Sequence, residues 1–167
     1  MKLTPIRGFS ALCALLALYT TAYAEDVFTL KTIGMELARD IASETVLACR
    51  KQGYAVSAAV VDRNALLKAA LRDDLASRFT LQIAEEKANI AMMSGINSGE
   101  FRRSREDIRT ELNNIDGLVV MQGGVIISAG GVRVGAVGVS GAPGGDLDEA
   151  CALQALEKLV ERLEFAD

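Results

Sequence analysis

Residues 125–146 read VIISAGGVRVGAVGVSGAPGGD, and this stretch decides the fold. Two runs of β-branched and small residues, 125–128 and 132–140, are separated by Ala129-Gly130-Gly131. Such a short connection requires antiparallel neighbours. The second run ends in a glycine-rich bend, after which Asp146 opens an amphipathic helix. The stretch therefore predicts a β-hairpin that leads through a bend into a helix.

Three further strands are predicted upstream of this hairpin. Residues 118–121 are apolar and are separated from the hairpin by Gly123-Gly124. Residues 54–61 and 66–72 form a second hairpin across a short polar turn. The chain therefore contains five predicted strands, most of them joined by hairpins instead of crossover helices.

Helical periodicity fills most of the remaining chain. Apolar residues recur at helical spacing over 29–52 and 77–93 and again from Asp146 onward, and a short polar helix is predicted within 98–112. The order of helices and hairpins predicts an α+β domain. It contains one five-stranded antiparallel sheet with helices packed on it.

Residues 1–24 have the composition of a secretory signal peptide. Lys2 and Arg7 precede an apolar run over 9–18, and Ala22-Tyr23-Ala24 precedes an acidic pair. The apolar run is about half of the roughly 20 residues that a membrane-spanning helix needs. We therefore expect cleavage after Ala24 and export to the periplasm or the medium. The mature chain, 25–167, is then a single domain without a membrane anchor.

Composition excludes several classes of function. Without Lys2 and Arg7 the chain keeps 16 of its 18 Lys and Arg against 22 Asp and Glu, a net charge of −6, which disfavours nucleic acid as a partner. The sequence has neither His nor Trp, so Ser-His, Cys-His and His-metal chemistry are excluded and no metal site is predicted. Cys49 and Cys151 can form one disulfide in an oxidising compartment if the fold brings them together.

Several polar features each have a structural and a functional interpretation. Segment 135–146 could bind an anion at the helix start or let a helix pack closely on the strand, and its composition favours packing. Arg72 could hold an anionic ligand, or it could pair with Asp74 and fix the loop. Lys87 could enter a pocket or extend its stem along the core, and the second is favoured. We interpret three methionines as core residues instead of ligands: Met92, Met93 and Met121.

Several sequence blocks occur in an order that resembles one protein family. The blocks are Val60-Val61-Asp62, Arg72-x-Asp74-x-Ala76, Thr80-x-x-Ile83-Ala84-x-x-Lys87-Ala88, Gly123-Gly124-Val125, 134–141 and 148–152. Together they resemble the GlcG/HbpS family, also described as haem-degrading or PduO C-terminal-like domains. The resemblance spans about residues 29–160.

This resemblance implies a profilin-like layered domain that assembles into homo-oligomers, often octamers. It implies a ligand such as haem or, less strongly, a corrinoid. The family positions that this chain retains form a candidate ligand or assembly surface: Arg72, Asp74, Lys87, Gly123, Gly124, Ser140 and Gly141, with Asp148 and Glu149. The chain departs from the family pattern at Leu75, Gln122 and Ile126. Because it lacks histidine, a haem iron would need Met, Cys, Tyr or Lys as its ligand.

Three hypotheses of function follow. The first is an exported binding protein for haem or a related tetrapyrrole. The second is an enzyme acting on a small oxygenated acid, with Lys87 and Asp74 as the candidate catalytic proton-transfer pair and Arg72 holding the anion. The third is an oligomeric accessory protein of an exported redox system.

Overall fold

The computed structural model describes residues 26–165, so the predicted signal peptide lies outside the described residues. The elements are α1 (Met35–Lys51), β1 (Ser57–Asp62), β2 (Leu67–Arg72), α2 (Thr80–Ser94), α3 (Ser98–Ser104), α4 (Arg109–Leu112), β3 (Gly124–Ala129), β4 (Val132–Ser140), α5 (Gly145–Lys158) and α6 (Val160–Glu164), with a 3₁₀ turn at Glu106–Ile108. Between residues 26 and 165, no helix has the length and apolar character needed to cross a membrane.

The strands of this part of the chain form one antiparallel sheet in the order β2-β1-β4-β3. β1 is buried along its whole length and pairs with β4 in a register that sets Ala58 opposite Val139. β3 pairs with the other edge of β4, with Gly124 opposite Gly138. The predicted α+β architecture with an antiparallel sheet and packed helices is confirmed. The prediction of five strands is wrong, because the described sheet has four.

The segment predicted as the fifth strand, residues 118–121, has no ladder partner in the described sheet. The Val120 N–H donates instead to the Asn113 side-chain oxygen at 2.8 Å. The Val120 side chain is buried, but in a small separate cluster with Ile90 and Phe101. Apolar character here reflects burial against helices, which a short sequence run does not distinguish from burial in a strand.

Helices cover both faces of the sheet, which gives the domain three layers. α1 and α5 lie on one face, where Ile41, Val60 and Val137 belong to the main hydrophobic core. α2 lies on the other face, against a smaller cluster that includes Val61 and Ala136. Neighbouring residues of a strand point to opposite faces, so both faces of β1 and β4 contribute to a core.

α2 rests directly on two glycines of the sheet. A Cβ on Gly138 would overlap the carbonyl oxygen of Ala84, and a Cβ on Gly124 would overlap the carbonyl oxygen of Lys87. The backbone of α2 therefore approaches the sheet more closely than any side chain at these positions would allow. This confirms the packing interpretation for Gly138.

α1 is shorter than the predicted helix, which began at Thr29. It starts at Met35, with Gly34 as its N-cap. The Ile33 N–H donates to the Val134 carbonyl oxygen at 3.0 Å, which holds the preceding residues in an extended path beside β4. A contact with the sheet, invisible to local periodicity, therefore decides where the helix begins.

Cys49 of α1 and Cys151 of α5 form a disulfide with a Cα–Cα distance of 5.3 Å. Both cysteines are fully buried in the main core. The bond fastens the two helices on one face of the sheet to each other. This settles the pairing that the sequence left open.

Candidate functional site

Part of the predicted site gathers around Lys87, whose side chain points into the protein. Lys87 is 1% exposed, and its Nζ donates to Asp148 Oδ2 at 2.7 Å and to the Val139 carbonyl oxygen at 2.8 Å. The other oxygen of Asp148 accepts the Ala142 N–H at 3.0 Å. The pair thus ties α2, β4 and the start of α5 together. The prediction that Lys87 extends its stem along the core towards solvent is wrong.

Burial raises the pKa of the Asp148 carboxyl above its ordinary value, and the Lys87 ammonium and the Ala142 N–H offset part of that rise. A buried ion pair stabilises a fold only when both charges are well bonded, and removing one partner leaves an uncompensated charge. A proton-transfer role would require Lys87 to break its bonds to Asp148 and Val139. The geometry fits a structural role for this pair.

Gly123 and Gly124 form the wall beside the ion pair. A Cβ on Gly123 would lie 2.8 Å from the Val139 carbonyl oxygen and 2.9 Å from the Lys87 Nζ, so it would crowd the ammonium and its backbone acceptor. The Gly124 N–H donates to the Ser98 side-chain oxygen at 2.7 Å. The double glycine therefore encloses Lys87, and one of its amides is already bonded within the protein.

Ser140 and Gly141 lie at the same end of the sheet as Arg72. Ser140 is opposite Ser57 of β1, and Ser57 is in turn opposite Arg72 of β2. One strand thus separates Ser140 from Arg72, a spacing of roughly 10 Å at about 4.8 Å per strand. Gly141 has a φ of 133° and packs against the carbonyl oxygen of Ala55.

Arg72 fixes the loop that follows β2. Its Nη1 donates to the carbonyl oxygens of Ala76 and Asp73, so it holds the loop through backbone groups, not through Asp74. Arg50 donates twice to the Asp73 carboxylate, at 2.9 and 3.0 Å. The hydrogen bond from Arg50 holds the pKa of Asp73 below its ordinary value. Asp74 itself is exposed.

The structure therefore brings together only part of the predicted site. Lys87 forms the buried ion pair that Gly123 and Gly124 enclose. Arg72 instead ends β2, one strand beyond Ser140, and Asp74 lies in the exposed loop that follows. Lys87 is bonded to Asp148, so it does not form the hypothesised proton-transfer pair with Asp74. The roles of these residues in ligand binding stay predictions.

A surface cleft of about 360 Å³ was missed by the sequence interpretation. We call it the hairpin cleft, because the tip of the β1–β2 hairpin forms one wall. It is lined by Arg63, Asn64, Ala65, Asn89, Met92, Met93, Asp116, Gly117 and Leu118. Met93 is 49% exposed and Met121 is 42% exposed, so their interpretation as core residues is wrong. Met92 and Met93 are neighbours in α2, so their side chains point about 100° apart. Met92 packs on the cluster beneath α2, whereas Met93 faces the surface.

A family model and several solved structures match this chain. The model of the HbpS-like haem-degrading proteins matches residues 33–157. A crystal structure of HbpS is 34% identical, covers 83% of this chain and 97% of its own, and superposes with a TM-score of 0.75. A double mutant of HbpS from Streptomyces reticuli is 30% identical, covers 93% of this chain and 99% of its own, and has a TM-score of 0.73. No curated protein sequence matches the chain.

The fold is also shared with a more distant protein. The structure of a PduOC:heme complex is 18% identical, covers 75% of this chain and 94% of its own, and has a TM-score of 0.67. At that identity the likeness concerns the fold alone.

Proposed function

The chain belongs to the HbpS-like family of haem-degrading proteins, and from that membership we propose that it binds haem or a closely related tetrapyrrole. The match over residues 33–157 carries the proposal, and the haem complex of a protein with the same fold supports it. We propose binding instead of turnover because the candidate acid and base, Asp74 and Lys87, are not paired in this geometry.

The side chains that remain available suit a haem held without histidine. The sequence contains no His, Cys49 and Cys151 are joined in a disulfide, and Lys87 is occupied by Asp148. Methionine thioethers do remain at the surface, and methionine is an established haem ligand. Methionine sulfur is therefore one ligand that the described residues offer to a haem iron, beside Tyr54 and the exposed lysines, while apolar and charged side chains contact the ring and its carboxylates.

An absorbance titration tests this function. The chain from Glu25 onward is titrated with hemin, and we expect the Soret band to move from its free position and to saturate at a fixed stoichiometry. A parallel titration of the protein unfolded in urea controls for non-specific adsorption. A Soret band that stays at its free position would refute haem binding. A cobalamin arm decides whether a corrinoid is also accepted.

We also propose that the mature protein works in an oxidising compartment after export. The buried disulfide supports this location, because disulfides persist in the periplasm and outside the cell and are rare in the cytosol. Cell fractionation followed by mass spectrometry of the intact protein tests it. An N-terminus at Glu25 in the exported fraction is expected, and a full-length chain confined to the cytosol would refute the proposal.

We further propose that the protein self-associates. Several large apolar side chains are exposed just before, on and after β2, which supports an interface: Leu66, Leu67, Leu71, Leu75 and Phe79. Five exposed large apolar side chains within 14 residues of chain are more than the scattered single ones that are normal on a monomer. Size-exclusion chromatography with light scattering should give a defined oligomer, with an octamer as the form that the family resemblance implies. A monomer at micromolar concentration would remove this proposal.

A further inference from the structure

The hairpin cleft combines an apolar floor with one arginine and one exposed thioether. It lies between the tip of the β1–β2 hairpin, the C-terminal half of α2 and the loop that contains Asp116. Met92 and Leu118 are partly buried and supply apolar surface. Ligand pockets are typically concave and mostly apolar, with a few placed polar groups. This cleft is more mixed, because Ala65, Met92, Met93 and Leu118 are apolar whereas Arg63, Asn64, Asn89 and Asp116 are polar or charged, and its volume lies at the small end of the usual size range.

Met93 is the thioether placed to reach a ligand in this cleft. It lines the cleft and is 49% exposed, whereas the neighbouring Met92 packs against the inner cluster. Met35 and Met121 are also exposed, at 62% and 42%, but neither lines the cleft. A soft sulfur donor beside apolar surface suits a transition metal at the centre of a flat macrocycle.

Arg63 places a positive charge on the same cleft. Its Nη1 donates to the Arg133 carbonyl oxygen at 2.9 Å, which anchors the side chain while leaving other N–H groups of the guanidinium. None of the ion pairs found over residues 26–165 includes Arg63, so its guanidinium can bind a carboxylate of a ligand. Asp116 also lines the cleft and is exposed. Its negative charge repels an anionic group of a ligand, which therefore favours the side of the cleft with Arg63.

We infer that the hairpin cleft is where the tetrapyrrole docks, with the Met93 sulfur as the iron ligand and Arg63 as the partner of a ring carboxylate. This inference rests on the proposed function and adds a location and a ligand to it. Because the cleft encloses only about 360 Å³, it holds part of the macrocycle. The buried ion pair of Lys87 and Asp148 then stabilises the fold and does not contact the tetrapyrrole.

Two matched variants test the iron ligand. Met93→Leu and Met121→Leu both remove one exposed thioether and keep an apolar side chain of similar size, so both should fold. After loading with hemin, X-ray absorption at the iron edge should show a sulfur neighbour in the unmodified protein and in Met121→Leu. That signal should be lost in Met93→Leu, together with a shift of the Soret band. The affinity of Met93→Leu for hemin should fall at least about 10-fold, the lower end of what losing an outer-shell partner costs a metal site.

The outcomes separate the site from the function. If the unmodified protein binds hemin and Met93→Leu binds it with the same affinity and the same iron neighbours, the assignment of the cleft is overturned while haem binding stands. If the unmodified protein does not bind hemin at all, both proposals fall. Met121→Leu losing the sulfur signal in place of Met93→Leu would also overturn the assignment.

A second variant tests the carboxylate partner. Arg63→Gln should weaken the binding of hemin but not that of hemin dimethyl ester, which lacks the negative carboxylates. Equal weakening for both compounds, or for neither, would contradict the role of Arg63. Circular dichroism confirms that the variant is folded, because Arg63 also bonds to the Arg133 carbonyl.

Discussion

Reducing the Cys49–Cys151 disulfide should lower the free energy of unfolding by several kcal/mol. The two cysteines are 102 residues apart in sequence, so the bond closes most of the described chain into one loop. In the chain-entropy model, a loop of about 100 residues stabilises the native state by about 4.7 kcal/mol at 25 °C, and removing native disulfides typically costs about 2 to 5 kcal/mol. Since total stabilities are typically about 5 to 15 kcal/mol, reduction should remove a large share of the stability.

Urea denaturation of the same protein with and without a reductant measures the change in the free energy of unfolding. The two samples have the same sequence and differ only in the Cys49–Cys151 bond. The midpoint should fall on reduction, and the m-value should rise because the reduced unfolded chain exposes more surface. Mass spectrometry after alkylation in urea counts the free thiols in each sample. The reasoning is refuted if the oxidised sample is alkylated at Cys49 and Cys151. A fully reduced protein with an unchanged midpoint would refute the predicted magnitude.

Three further changes test the packing and the charges. Gly138→Ala should destabilise the protein by about 1 to 3 kcal/mol or more in urea, because the new methyl group overlaps the backbone of α2. Lys87→Met should cost about 3 to 5 kcal/mol, because it leaves a buried carboxylate without its partner. Arg50→Gln should destabilise the protein at pH 6, and its difference from the unmodified protein should shrink as the pH falls below about 4, the ordinary pKa of an aspartate. The sign follows from the lowered pKa of Asp73, whose ionised form stabilises the native state above the ordinary pKa and loses that effect as pH falls through the lowered one.

Each of these predictions has a matched control. Gly34→Ala should cost less than Gly138→Ala, since a Cβ at Gly34 meets no atom within 4 Å and alanine is only a weaker N-cap than glycine, and an equal loss in the two variants would argue against the overlap. Adding Asp148→Asn to Lys87→Met should recover part of the stability, and no recovery would argue against an unpaired charge as the cause. For Arg50→Gln, a stability difference that stays constant down to pH 2 would contradict the linkage to Asp73.

Local sequence patterns predicted the parts of the fold that depend on local chemistry. The turn at Ala129-Gly130-Gly131 gave the β3–β4 hairpin, because its length and glycines admit only antiparallel neighbours. The strand at 118–121 and the helix start at Thr29 were wrong, because both depend on contacts from elsewhere in the fold. Periodicity reports which side of a segment is buried and does not report what buries it.

The candidate site was harder to predict because its bonds connect distant parts of the sequence. Lys87 is 61 residues from Asp148, and Arg50 is 23 residues from Asp73. The packing of the helices on the sheet determines which carboxylate pairs with each cation. A pattern of residues in the sequence does not specify that packing. Met93 was assigned to the core because methionine usually packs there, although its helical position turns it to the surface.

The close contact between α2 and the sheet is a requirement of the fold and carries no information about a ligand. At Gly124 and Gly138 a side chain is excluded by carbonyl oxygens of the α2 backbone. Every sequence has these oxygens, so the need for glycine does not depend on which ligand the protein binds. A change in the ligand-facing side chains would therefore leave this backbone contact unaltered. Evidence for a particular ligand has to come from side chains that do not hold the scaffold together, such as the exposed Met93 of the hairpin cleft.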